Sequence, residues 1–280
     1  MTEMTEGLLK KMQTRLSSAD SPDVDYQLPL GDTLIPMNEL IGRHISLSHS
    51  GLINCLHCGR KTKKSFNQGY CYPCFRSLAQ CDSCIMSPEK CHYDKGTCRE
   101  PEWGETHCMI DHFVYLANSS GIKVGITRGS QVPTRWMDQG AIQALPIFRV
   151  STRLQSGLVE VVFKQHIADK TNWRAMLKGD VDKIDLIAER DRLLIECKDE
   201  ISRLQSEHGI QAIQVIDDAP PVDISYPVHT FPTKVTSLNF DKQPEITGVL
   251  KGIKGQYLIM DTGVLNIRKF GGYHIQFNVN

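Results

Sequence analysis

The sequence predicts an α+β protein built as a cysteine-rich module, a β-β-α-β-α core, a long helix and a small β-rich C-terminal region. Three observations predict it. Nine of the ten cysteines fall between Cys55 and Cys108. From 112 to 175, strand-like apolar runs and helical spacing follow one another in β-β-α-β-α order. After the break "DDAPP" at 217–221, short apolar strands alternate with glycine turns to the end of the chain. A length of 280 residues with 40% apolar content is enough for two domains.

Taken in order, residues 1–54 mix polar turns with alternating segments such as "HISLSHSGLINC" and read as a β-rich segment. Residues 55–108 are too turn-rich to fold around an apolar core. In the segment 112–175, His112–Ala117 and Ile122–Thr127 read as a hairpin across the turn Asn118–Gly121. Pro133 suits the first turn of a short helix ending near Gly140. Leu145–Val150 is a third strand, and Leu158–Ala168 has helical spacing through Val159, Val162, Phe163 and Ile167.

Residues 180–208 read as a long amphipathic helix with Ile187, Leu194 and Ile201 at heptad spacing. Packing along the domain is favoured over a homodimeric coiled coil. Residues 222–280 form the β-rich region, whose glycine-punctuated strands suggest a small curled sheet or barrel. "GRHISLSHSGLIN" at 42–54 echoes "GQYLIMDTGVLN" at 255–266, as two strand–turn–strand units; the likeness of hairpins in general is the favoured explanation.

The first four cysteines are spaced Cys55-x2-Cys58-x12-Cys71-x2-Cys74. Two knuckles of this kind present four thiolates to one Zn2+ ion in a closed structural site. Gly59 and Gly69 suit the turns that aim backbone amides at the sulfurs, and His57 is expected to face solvent. Cys81, Cys84, Cys91 and Cys98 predict a second structural zinc site. Its partition stays open, because Cys108, His92, His107 and His112 are nearby alternatives and spacing alone does not exclude an iron–sulfur cluster. Cys197 reads as a buried or neutral helix residue.

Lys+Arg and Asp+Glu are equal at 32 each, so no global polyanion-binding charge exists. Locally, residues 55–80 carry Arg60, Lys61, Lys63, Lys64 and Arg76 with no acid, and 112–175 hold eight basic residues against three acidic ones. Basic stretches flanked by acidic ones suit local phosphate contacts. No apolar run approaches a membrane span, and the N-terminus lacks a signal-peptide pattern, so a cytoplasmic location is expected. In a reducing compartment clustered cysteines favour metal over disulfides.

The segment "VYLANSSGIKVGIT", followed by Arg135 and Glu160, resembles a GIY-YIG endonuclease core. Val114-Tyr115-Leu116 stands for the first tripeptide and Lys123-Val124-Gly125 for the second, over about 60 residues in that family's β-β-α-β-α order. The chain as a whole, through "CGRKTKKSF", "GYCYPCF", "GTCREPEWGE" and "PTRWMDQGA", also resembles an uncharacterised bacterial family known only as a domain of unknown function. The GIY-YIG resemblance implies phosphodiester hydrolysis. Glu160 would hold Mg2+ or Mn2+, Arg135 would grip the phosphate, Tyr115 would sit near the attacking water, and Gly125 would let the strands pack closely. Lys123 replaces the second family Tyr, and Gln139 stands where the family usually has His or Tyr.

The expected function is therefore a zinc-containing GIY-YIG-like protein acting on DNA or RNA, with Tyr115, Lys123, Arg135 and Glu160 as the catalytic set. The alternatives are a non-catalytic nucleic-acid-binding protein using Arg60, Lys61, Lys63 and Lys64, and a structural or adaptor protein. On the bland reading Tyr115 is a strand aromatic, Arg135 pairs with Asp138, Glu160 is solvated, and Trp136 and Trp173 are core residues.

Overall fold

The computed structural model describes residues 4–17 and 23–279, and within them the chain folds as a mixed α+β protein. The segment 112–175 contains the expected elements in the expected order. Strands His112–Asn118 and Ile122–Arg128 form an antiparallel hairpin, the helix Thr134–Asp138 follows, and strand Gln143–Val150 pairs back on His112–Asn118. Ile213–Val215 and Val222–Asp223 add to Gln143–Val150, which leaves Ile122–Arg128 as an edge strand.

The last helix of this segment spans Arg153–Phe163, starting and ending about five residues earlier than the apolar spacing predicts. Its start is set by a capping box. The Thr152 hydroxyl accepts from the Gln155 N–H at 3.3 Å, and the Gln155 side chain accepts from the Thr152 N–H at 3.0 Å. Its end is set by tertiary pairing, because the Ala168 carbonyl accepts a 2.9 Å bond from the Val124 N–H on the edge strand.

The central strand is buried on both faces, which alternate as the pleat requires. Val114 and Leu116 join Val124, Leu145, Ile147, Val159 and Phe163 in the core beneath the helices. Tyr115 and Ala117 face the opposite core, with Trp136 and Met137 and the β-rich part of the molecule. The helical segment after residue 180 begins only at Leu186, capped by Asp185, and consists of Leu186–Glu196 and Lys198–His208 with a break at Cys197. Its buried stripe is Leu186, Arg190, Leu193, Cys197, Ile201 and Leu204, covered by the chain's own core. Ile187, one of the heptad residues, is 41% exposed, so the stripe follows the 3.6-residue period instead.

The two chain ends build one sheet. Its strand path is Thr5–Leu8, Tyr273–Val279, His44–Asn54, Glu245–Lys254, Tyr257–Met260 and Gly263–Asn266, with Lys61–Thr62 added to His44–Asn54. The segment 42–54 is thus a single eleven-residue strand and not a hairpin, while 255–266 is one. His44–Asn54 finds antiparallel partners on both sides, so its hydrogen-bonding groups are satisfied without folding back. Gln13–Leu16, Val24–Leu30 and Thr33–Pro36 form a separate three-stranded sheet. No helix among the described residues is long and apolar enough to cross a membrane.

Candidate metal centre and basic cleft

Cys55, Cys58, Cys71 and Cys74 converge, with all four sulfurs within 4.8 Å of one another. Cys58 and Cys71 Sγ are 3.7 Å apart. Four ligands at the usual zinc–sulfur length around a tetrahedron lie about 3.8 Å apart, so the donor set fits one zinc ion. Local structure prepares the site. The first knuckle closes through Gly59 N–H to Cys55 O at 2.9 Å, with Gly59 at a φ of 70° that opens the turn. The second enters the short helix Tyr72–Ser77 with Pro73 in its first turn. Burial alone would raise the Cys55 thiol, but the backbone amides of Cys58, Cys71 and His57 bring it down, while burial and the neighbouring thiols push Cys74 up. A thiolate-stabilising nest of this kind is what a metal ligand requires. His57 is exposed, as expected.

The later cysteines divide differently from their spacing. Cys81 packs with Cys55, Cys71, Cys74 and Leu78, and its sulfur accepts from Asn67 Nδ2 at 3.5 Å. Cys84, Cys91, Cys98 and Cys108 instead line one small void, together with Asp82 and His92. Of the other histidines, His107 stacks on Trp103 at 4.2 Å and His112 Nδ1 bonds Ile110 O at 2.7 Å. Neither lines the void. Cys197 is fully buried at the helix break.

Beside the cysteine module an open cleft of about 800 Å³ runs along the edge strand Ile122–Arg128. Lys123, Arg135 and Glu160 all line it, each from a different element. Lys10 and Lys11 enter from the N-terminal region, Arg268 from the C-terminal one, and Asn67, Gln68 and Tyr70 from the first cysteine loop. Tyr115 lies directly beneath and is fully buried. Its hydroxyl donates to Gln139 Oε1 at 2.9 Å, and Lys123 Nζ donates to the same oxygen at 2.8 Å. Gln139 therefore ties two of the sequence-predicted residues together as an acceptor.

The cleft is strongly cationic. Asp138 is occupied by Lys11 at 2.7 Å and by Gln256 Nε2 at 2.8 Å, and it does not pair with Arg135. Among the described residues, no carboxylate lies within ion-pair distance of Arg128, Arg135 or Arg268. Burial and the nearby Arg135 charge push Arg268 below its ordinary range. Burial and Arg135 likewise bring Lys123 down to about 8, against the opposing pull of Glu160 and Asp169.

Glu160 is 9% exposed and its carboxyl is raised by burial, with Lys164 opposing that rise. Lys164 Nζ stands 3.2 Å from Glu160 and 3.3 Å from Asp169, so one cation already bridges two carboxylates at the cleft. Glu160 is thus neither the solvated surface residue of the bland reading nor paired to an arginine. Burial also raises the Tyr115 phenol, which stays protonated at neutral pH despite Arg135 beside it.

Gly125 has the role its position implies. A Cβ there would lie 2.7 Å from the Tyr115 hydroxyl, so the glycine makes room for the ring under the edge strand. Gly125→Ala is expected to cost about 1–3 kcal/mol by overpacking, read as a lower denaturation midpoint with an unchanged m-value. Trp136 contacts Tyr115 edge-on at 5.9 Å, and Trp173 stacks on Tyr257 at 5.7 Å, so both tryptophans serve packing.

Arg60, Lys61, Lys63 and Lys64 are exposed, but none lines the cleft. The cleft residues that sequence reading missed are Lys10, Lys11, Arg128, Arg153, Asp169 and Arg268. Arg128 ends the edge strand Ile122–Arg128, and Arg153 begins the helix Arg153–Phe163 that carries Glu160. Lys10, Lys11 and Arg268 carried no signal, because only the pairing of the chain ends brings them here.

The structure thus defines a mixed α+β protein with a tetracysteine cluster that could bind a metal beside a basic cleft. Its sequence matches, over residues 42–275, the family described as protein of unknown function (DUF2797), and the chain belongs to that family. No curated protein and no solved structure matches it significantly.

Proposed function

We propose that this chain is a zinc-stabilised GIY-YIG-like protein that grips nucleic-acid phosphates in the basic cleft and hydrolyses a phosphodiester there. The observation that carries the reading is the set of guanidinium groups without carboxylate partners, Arg128, Arg135 and Arg268, lining one cleft with Glu160. Planar, permanently charged forks of this kind match phosphate oxygens. The exposed Arg60, Lys61, Lys63 and Lys64 offer further backbone contacts.

Glu160 and Asp169 flank the ammonium of Lys164, a cation standing where a divalent ion would fit between two carboxylates. Mg2+ or Mn2+ held there would supply charge neutralisation at the scissile phosphate. Arg135 binds that phosphate. Water attacks phosphorus as the bond to the leaving oxygen breaks. Lys123, when neutral, takes the proton from the water, and the leaving oxygen is protonated from solvent. Tyr115 orients Lys123 through their shared acceptor Gln139.

Purified full-length protein incubated with plasmid DNA or structured RNA and Mn2+ tests the reading. Cleavage by the parent, lost in Glu160→Ala, is the expected result. Cleavage that survives the substitution would discard Glu160 as the metal ligand. The Glu160–Lys164 ion pair and the acceptor-only role of Gln139 also suit a second reading, non-catalytic nucleic-acid binding. Salt-sensitive binding without cleavage would select it, and absence of binding would remove both.

Lys123 gives a pH dependence with a definite sign. With its amine brought down to about 8, it is cationic below that pH and neutral above it. Phosphate affinity should therefore weaken as pH rises through 8, and Lys123→Arg should flatten that part of the curve, measured by fluorescence anisotropy.

A further inference from the structure

After Leu78 the chain makes four short 3-10 turns, Ala79–Cys81, Ser83–Ile85, Pro88–Lys90 and Tyr93–Lys95, and then the helix Pro101–His107. None of these elements is long enough to be stable alone, and the segment contributes little more than Ala79, Cys81, Pro88 and Cys108 to buried apolar structure. Something must hold the turns against one another. At their centre is a void of about 20 Å³ lined by Cys84, Cys91, Cys98 and Cys108.

We propose that Cys84, Cys91, Cys98 and Cys108 ligate a second, single zinc-class ion, and that this centre fixes one wall of the basic cleft. The ligand set differs from the one spacing suggests, because Cys108 replaces Cys81. Cys81 is engaged by Asn67 and packed into the first cluster. Cys108 comes from the end of the helix Pro101–His107, and that helix approaches through Gly104. A Cβ on Gly104 would stand 3.5 Å from Cys98 Sγ and 3.1 Å from the Tyr93 ring. The void has room for about one small sphere, which suits one ion and not a multi-iron cluster.

Asp82, Cys84 and His92 bring donor atoms within 4.8 Å of one another, whereas the four thiols share the void without all lying that close, so an ion would have to draw them together. The polar atoms of Asp82 and His92 are already engaged, however. Asp82 takes Arg99 at 2.8 Å and the Ser83 N–H at 2.5 Å, and His92 Nδ1 meets Thr97 at 2.8 Å. His92 Nε2 faces Asp82 itself at 3.5 Å. These residues brace the turns around the thiols.

The centre is wired into the cleft. The Cys108 carbonyl accepts from the Arg153 N–H at 2.7 Å, and Arg153 Nη2 donates to Ile85 O at 2.6 Å. Gly157, one turn before Glu160, lets the Pro88–Glu89 backbone lie directly on the helix, since a Cβ there would meet Glu89 N at 2.5 Å. Ile85, Met86, Pro88 and Arg153 all line the cleft. Metal at these four thiols would therefore clamp the turn against the helix that carries Glu160. This inference stands whether or not the cleft is catalytic.

The test uses the full chain purified without chelator. Two equivalents of zinc are expected in the parent, one in Cys108→Ser, and two in both Cys81→Ser and His92→Ala. Alkylation of the parent, mapped by mass spectrometry with and without chelator, keeps the test decisive if a variant does not fold. Cys84, Cys91, Cys98 and Cys108 should become reactive together on chelation. One zinc equivalent in the parent, loss of metal in Cys81→Ser or His92→Ala, four thiols that react independently of chelation, or acid-labile sulfide would each overturn the proposal.

Discussion

Cys71→Ser is expected to empty the first metal centre and unfold the loop around it, costing several kcal/mol of stability. The residues between Cys55 and Leu78 own little apolar core beyond the cysteines themselves, with Leu78 and the half-buried Tyr70 and Phe75 beside them. Binding of a structural zinc ion would therefore supply nearly all of the local folding energy, which in small zinc modules amounts to about 10 kcal/mol or more. The expected observation is the loss of one zinc equivalent together with a lower melting temperature. A Cys71→Ser protein that melts with the parent would show that the cluster folds without metal. The loss should extend to the cleft, because Asn67, Gln68 and Tyr70 from this loop form part of its wall.

Arg135→Ala is expected to weaken nucleic-acid binding by about tenfold or more, equivalent to about 1.4 kcal/mol or more. Its guanidinium lines the cleft with no carboxylate partner, while Asp138 on the same short helix is held by Lys11. The loss should be uniform across sequences, and the slope of log affinity against log salt should fall by about one. Arg149→Ala is the control, since Arg149 is paired with Asp111 and lies outside the cleft. Equal effects of the two substitutions would mean that binding reflects general surface charge and not this cleft.

The contrast between those two arginines shows where sequence reading stops. Both lie in the same basic stretch, and nothing in the local pattern separates a guanidinium with a carboxylate partner from one without. The same limit applied to Cys81. Its Cys-x-x-Cys spacing with Cys84 suggested a shared ion, yet the 3-10 turn at Ala79–Cys81 turns it back toward the first cluster. The helix bearing Glu160 was legible from its apolar spacing, but its limits were not. They depend on a capping box at one end and on Ala168 pairing with the edge strand at the other.

What the sequence determined alone was local. Knuckle spacing placed Cys55, Cys58, Cys71 and Cys74 in one cluster that fits a single ion, because two short turns already bring each pair of sulfurs together. Apolar alternation and glycine turns placed the hairpin bearing Tyr115 and Lys123, since residue period and turn chemistry are encoded within a few positions. Only the tertiary structure decided the rest. Pairing of Tyr273–Val279 between Thr5–Leu8 and His44–Asn54 brings the two chain ends into one sheet and sets Lys10, Lys11 and Arg268 around the cleft. Sheet edges accept any strand with compatible register and burial, so such long-range partnerships leave no local mark in the residues that make them.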